Sequence, residues 1–99
     1  MNDSLIELLR NELYITWEDT DTDLKLARII SNAIPTLNYK LGANIDYSVE
    51  GQEQELFIAY CVYAYNGCLN QFDEAYQNNI AQIRQIYEVE QFVGDNDEA

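Results

Sequence analysis

A chain of 99 residues has material for one hydrophobic core, and a hydrophobic content of 47% is enough to offset the entropy of ordering it, so the chain is expected to fold, as a single domain. Eighteen acidic residues face five basic ones (Arg10, Lys25, Arg28, Lys40, Arg84), giving a formal charge of -13 that repels phosphates. With no cluster of Lys or Arg, direct binding of DNA is not expected; solubility, a basic partner surface, or a wall past which DNA slides without sticking remain open.

The first helix is predicted from Ser4, where Ser4 and Glu7 form a capping-box pattern and Leu5, Ile6, Leu9 and Leu13 recur at helical spacing. Tyr14 to Thr20 lacks that period and reads as a loop with Trp17 as an aromatic anchor. The acidic run Asp19, Asp21, Asp23 then offers capping oxygens and negative charge to the positive end of a second helix starting near Thr22. Leu26, Ala27, Ile30, Ala33, Ile34, Leu37 and Leu41 supply its apolar face, and Gly42 is a good terminator. Pro35 removes one backbone hydrogen bond, so a kink is favoured over an early stop.

Residues 42–52 carry Gly42, Asn44, Asp46, Ser48 and Gly51 around Ile45, Tyr47 and Val49, and read as the one longer loop. A third helix is expected over 53–71 and a fourth over 72–91, with Gly67 or Asn70 as the alternative break points between them. Tyr76, Ile80, Ile83 and Tyr87 give the fourth helix its stripe. The expectation is an all-α, small four-helix bundle: one helical domain over 1–93, then an acidic C-terminal tail over 94–99.

Little in the chain suggests chemistry. Asp19, Asp21 and Asp23 resemble the opening of a calcium loop, but Leu24 stands where glycine is needed and Ile30 where the bidentate glutamate is needed, so a solvated helix cap is the better reading. There is no histidine, and Cys61 and Cys68, seven apart on what reads as one helix, lie roughly 10.5 Å apart along the axis and cannot pair within it. That thiol pair, with no secretion signal, suits a reducing cytoplasm. No nucleophile elbow or phosphate loop occurs, so no catalytic residues, no cofactor, no metal and no enzymatic activity are expected. The uncharged run 56–72 is short for a membrane span, contains Asn66, Gly67, Asn70 and Gln71, and has acidic flanks; it reads as a buried helix.

That third helix has two unlike faces. Phe57, Ile58, Cys61, Ala64, Tyr65, Cys68, Leu69 and Phe72 suit the domain core. Leu56, Ala59, Tyr60, Tyr63, Asn66, Gly67 and Asn70 form a second face without charge, which suits burial against a neighbour. Tyr60, Tyr63, Gly67 and Asn70 are therefore candidate subunit-interface residues, and cover by another part of the same chain is the equal alternative.

The run Phe57 to Arg84, F-I-A-Y-C-V-Y-A-Y-N-G-C-L-N-Q-F-D-E-A-Y-Q-N-N-I-A-Q-I-R, resembles the small helical head-tail connector (adaptor) proteins of tailed bacteriophages. The order of elements is similar too: a short first helix, L-I-E-L-L-R-N-E-L, then an acidic D-T-D-T-D lead into a second helix ending N-Y-K-L-G. The resemblance implies a structural virion protein made in the host cytoplasm and assembled in the virion neck as a homo-oligomeric ring, commonly dodecameric. Such a ring binds the portal protein and a head-closure or tail-completion protein, and DNA passes through its channel without specific binding; no cofactor and no membrane are involved. Tyr87, Val89, Phe92 and Val93 become candidate portal-docking residues on the same ground. Val62 departs from the pattern, standing where relatives often carry a basic residue. A different class of function is the alternative: an acidic inhibitor or DNA mimic that fills the basic groove of a host nucleic-acid enzyme.

Overall fold

A computed structural model describes the backbone of residues 3–17 and 19–98 and the side chains of residues 4–17 and 19–89. Four helices follow in order: α1 (Asp3–Glu12), α2 (Thr20–Leu41), α3 (Gln52–Tyr65) and α4 (Leu69–Glu98). No strand occurs among the described residues, so the fold is all-α, with residues 42–51 as its longer loop. Helices α1 and α4 each pack on α2 and α3, with no close backbone approach to one another among the described residues, which makes α2 and α3 the central pair.

Helix α1 begins at Asp3, one residue ahead of the Ser4/Glu7 pair, so Ser4 sits inside the first turn and does not cap it. Helix α2 begins two residues earlier than its apolar period suggests. Asp19 is extended (φ -153, ψ 121), and its carboxylate accepts the Asp21 backbone N–H at 3.3 Å and the Thr22 hydroxyl at 3.0 Å. The helix runs on through Pro35 without stopping. Pro35 and Ser31 are both exposed, so the Ser31 carbonyl that loses its amide partner faces the solvent side and can be hydrated.

Helices α1, α2 and α3 end by one device: a left-handed residue followed by a backbone N–H that reaches back five positions. Tyr14 (φ 58) is followed by Ile15 N–H to the Arg10 carbonyl at 2.9 Å. After Gly42 (φ 76), Ala43 N–H reaches the Asn38 carbonyl at 3.2 Å, and after Gly67 (φ 75), Cys68 N–H reaches that of Tyr63 at 2.8 Å. Gly67 therefore marks the break between α3 and α4, and Asn70 does not. Cys68 lies beyond α3 and not on it, and both thiols are free.

Between α1 and α2 the anchor is Ile15, buried at 6% exposure, and not Trp17, which is 52% exposed. The loop is held from α1 by Arg10, whose guanidinium pairs with Asp23 and donates to the Trp17 carbonyl at 2.6 Å. In the loop between α2 and α3, Tyr47 is buried with its ring stacked on Phe57 at 4.7 Å. Asn38 Oδ1 accepts from the Tyr47 hydroxyl and from Ile45 N–H at 3.2 Å, and the buried Gln54 side chain donates to the Tyr47 carbonyl at 3.1 Å. These bonds satisfy the polar groups that a buried loop tyrosine brings with it.

The core comprises Leu5 and Leu9 of α1, Leu26, Ile30, Ala33, Leu37 and Leu41 of α2, Leu56, Phe57, Tyr60 and Cys61 of α3, and Phe72 and Ile83 of α4, with Ile15 and Tyr47 from the loops. Helix α3 has apolar residues all round because it is covered on both sides. Helix α4 bends at Tyr76 (φ -119, ψ 18) and continues to Glu98, beyond the end expected near Gln91. No proline follows Pro35 in the sequence, and the single Gly94 costs a helix only about 1 kcal/mol, so nothing covalent ends α4 earlier. The backbone of 94–98 is thus helical where a tail was expected, while its side chains and Ala99 lie outside the described residues.

Candidate interaction surface

The four candidate interface residues do not form one surface, because the helix that would align them ends at Tyr65. Tyr60 is buried in the chain's own core, meeting Phe72 edge-on at 5.0 Å. Tyr63 is half-buried and meets both Phe72 at 5.9 Å and Tyr76 at 5.8 Å, while Phe72 and Tyr76 stack at 5.1 Å. At Tyr60 and Tyr63 the face of α3 is thus covered by α4 of the same chain, which was the equal alternative to a subunit contact. Gly67 is exposed in the turn with nothing within 4 Å of an added Cβ, and Asn70 is exposed in the first turn of α4.

The portal-docking candidates also divide. Tyr87 is half-buried, and its hydroxyl donates to Glu53 Oε2 at 2.7 Å, joining α4 to the first turn of α3. Val89 is 54% exposed. The side chains of Phe92 and Val93 lie outside the described residues.

Helix α4 presents two contrasting outer flanks. With Phe72, Tyr76, Ile80, Ile83 and Tyr87 turned inward, a 100° step per residue puts Asp73, Glu74, Arg84 and Glu88 on one flank. Ala75, Asn78, Asn79, Gln82, Gln85, Ile86 and Val89 fall on the other. The charged flank is tied toward α2: Lys40 Nζ lies 2.8 Å from Asp73, Arg84 pairs with Glu88 at 3.1 Å, and Arg84 also donates to the Lys40 carbonyl at 3.3 Å. The second flank bears no charge, and Gln82, Gln85, Ile86 and Val89 line an open recess on it. Ile86 was legible as a leftover apolar position outside the stripe of α4, although nothing local to it says that it stays exposed.

Chemistry has little purchase here. Among the described residues no three His, Cys, Asp or Glu side chains lie together as metal ligands would, and Asp19 is engaged in capping α2. Burial pushes the Cys61 thiol up to about 12, so it stays protonated near neutral pH and is no nucleophile. No described helix is long and apolar enough to cross a membrane. Comparison with protein-family models, with curated proteins and with solved structures finds no match for this chain.

Proposed function

We propose that the protein is a head-tail connector subunit of a tailed bacteriophage, a mechanical part that assembles as a ring under the portal and extends the DNA channel toward the tail. The reading is supported first by the likeness over Phe57–Arg84 and the matching order of helices. The observation that carries it is the length of the last helix. Helix α4 has 30 residues and α3 has 14. Because Tyr87 already stands level with Glu53 in the first turn of α3, α4 continues past the central pair.

The consequence is an elongated particle of 54 × 29 × 19 Å whose radius of gyration, 15.1 Å, exceeds the ~13 Å of a compact chain this long. A last helix whose backbone runs on past the pair it packs against is a surplus element, and such an element suits a partner. Acidity fits the same role, since a channel wall rich in carboxylates does not hold passing DNA. No reaction is part of this function.

The test is to mix the purified protein with the portal protein of its phage and image the product. The expected result is a ring of this chain seated on the portal vertex. A portal that stays bare at micromolar protein overturns the reading, and a tight, salt-sensitive complex with a basic nucleic-acid enzyme would replace it by that of an acidic inhibitor.

A further inference from the structure

Helix α4 is bent at Tyr76 (φ -119, ψ 18), although no proline or glycine stands between Gly67 and Gly94 to break it. The bend therefore comes from packing. The Tyr76 ring stacks on Phe72 at 5.1 Å and meets Tyr63 edge-on at 5.8 Å, which holds the residue that leaves helical angles against the aromatic cover of α3. Lys40, in the last turn of α2, reaches both sides of it: its Nζ lies 2.8 Å from Asp73 before the bend, and its carbonyl accepts from Arg84 at 3.3 Å beyond.

The two sides are attached differently. Before the bend, Phe72 is 1% exposed and packs on Tyr60 and Tyr63 of α3, and the turn at Gly67 ties this segment directly to that helix. Beyond it, residues 77–89 bury Ile83, half-bury Ile80 and Tyr87, and expose the rest. Two polar bonds latch them, from Arg84 to the Lys40 carbonyl and from the Tyr87 hydroxyl to Glu53 at 2.7 Å. The first is exposed and the second part-buried, so water can replace either at modest net cost.

We propose that Tyr76 is a hinge, and that the segment beyond it, 77–98, is an arm that opens as a unit from the end of α2 and the start of α3 while 69–75 stays in place. The closed arm lies over the α2–α3 loop, where Tyr87 shares a recess with Asn44, Ile45, Val49 and Glu53. Opening bares that recess together with Ile80, Ile83 and Tyr87 on the inner side of the arm. Such local openings concentrate where few apolar groups hold an element, and among the described residues of the arm Ile83 alone is fully buried. A detached helix of this length is marginal in water, so an open arm also gives up its amide protection. The hinge belongs to the single chain and holds with or without a ring.

The test is hydrogen exchange of the full-length chain, followed residue by residue by NMR in water and in urea well below the unfolding midpoint. Amides of 80–89 are expected to exchange together and at least about tenfold faster than those of 72–75 and of α3, with the step falling at the bend. Fraying from the far end would instead give rates that climb steadily along the whole of α4; that profile overturns the hinge, as does equal exchange on the two sides of Tyr76. A full-length Ile83→Asp variant supplies a second reading. Charge at that buried position should release the arm, leaving 80–89 without protection while 72–75 and α3 keep theirs and urea unfolding stays cooperative. An Ile83→Asp chain that still protects 80–89, or that loses protection in α3 along with the arm, overturns the proposal as well.

Discussion

Tyr47 donates its hydroxyl to Asn38 Oδ1 at 2.9 Å, and this bond fastens the loop between α2 and α3 to the last turns of α2. The same oxygen takes Ile45 N–H, so one side chain satisfies two donors. Replacing Asn38 by Ala leaves both without that acceptor and should cost roughly 1–3 kcal/mol in urea unfolding. Tyr47→Phe, which removes one donor and keeps the ring on Phe57, should cost about 1 kcal/mol or less. Equal effects from the two would mean that the oxygen of Asn38 is not the shared acceptor.

Phe72 is the hub of the cover over α3, touching Tyr60, Tyr63 and Tyr76. Phe72→Ala should destabilise by about 3–5 kcal/mol, the usual range for emptying a buried aromatic site. Tyr60 and Tyr63 should become open to solvent at the same time. A rise in tyrosine accessibility to a fluorescence quencher, at urea concentrations well below unfolding, would check this; a loss of under about 1 kcal/mol would show that α4 does not provide the cover.

Tyr14 occupies a left-handed conformation that glycine and asparagine adopt at less cost, and it is 84% exposed, so it contributes little packing in return. Tyr14→Asn should therefore raise stability by up to about 1 kcal/mol. The opposite holds at Gly67 (φ 75), where nothing crowds an added Cβ but the backbone is still left-handed. Gly67→Ala should cost about 1–2 kcal/mol by strain alone. Thermal unfolding of both variants, shifted in opposite directions, is the measurement.

Burial holds the Cys61 thiol at about 12 against an ordinary 9.0, and burial likewise raises the Tyr47 hydroxyl, with the negative charges that Tyr87 and Glu53 can carry adding to it. In both, the folded chain keeps a proton that the unfolded chain releases. Unfolding then sheds protons above about pH 9, so stability falls as pH rises, by at most about 1.4 kcal/mol per pH unit for each group. Below pH 9 neither group contributes a slope. Urea midpoints at about pH 8 and about pH 10.5 should differ, and Cys61→Ala should reduce the difference; an unchanged difference would assign the alkaline loss elsewhere.

Arg10 joins three segments, reaching from α1 to Asp23 of α2 and to the Trp17 carbonyl in the loop. Its side chain is only 13% exposed. Arg10→Met keeps much of the stem and removes the fork, and should cost roughly 1.5–3 kcal/mol, the range for bonds to charged partners. Faster amide exchange confined to residues near Trp17 would place the loss in the loop.

What the residues declared in advance were the local rules. The spacing of Leu26, Ile30, Ala33, Leu37 and Leu41 and the cap chemistry of Asp19 and Gly42 fix α2 to within two residues, because each depends only on near neighbours. Gly67 was legible only as one of two candidate breaks, beside Asn70, and the boundary expected at 71/72 lies at 66–68 instead. Tyr14 was not legible, since a left-handed tyrosine carries no local signal and is held by the burial of Ile15 beside it. Which helix covers Tyr60 and Tyr63 could not be read either. An uncharged aromatic face looks identical in sequence whether α4 or another molecule lies on it, and only the turn at Gly67, which returns the chain along α3, decides the matter. Val89 was singled out for docking on likeness, and its exposure came from the phase of α4 relative to Ile83 and Tyr87.

Because the described backbone of α1 makes no close approach to that of α4, a pull applied to the far end of α4 reaches the amino-terminal helix chiefly through the α2–α3 pair. Tension in such a particle would run from Tyr87 into Glu53 and from Arg84 into the end of α2, leaving α1 a bystander. The molecule is built as a strut with a passenger, so shearing α4 loose should leave the remaining three helices in contact.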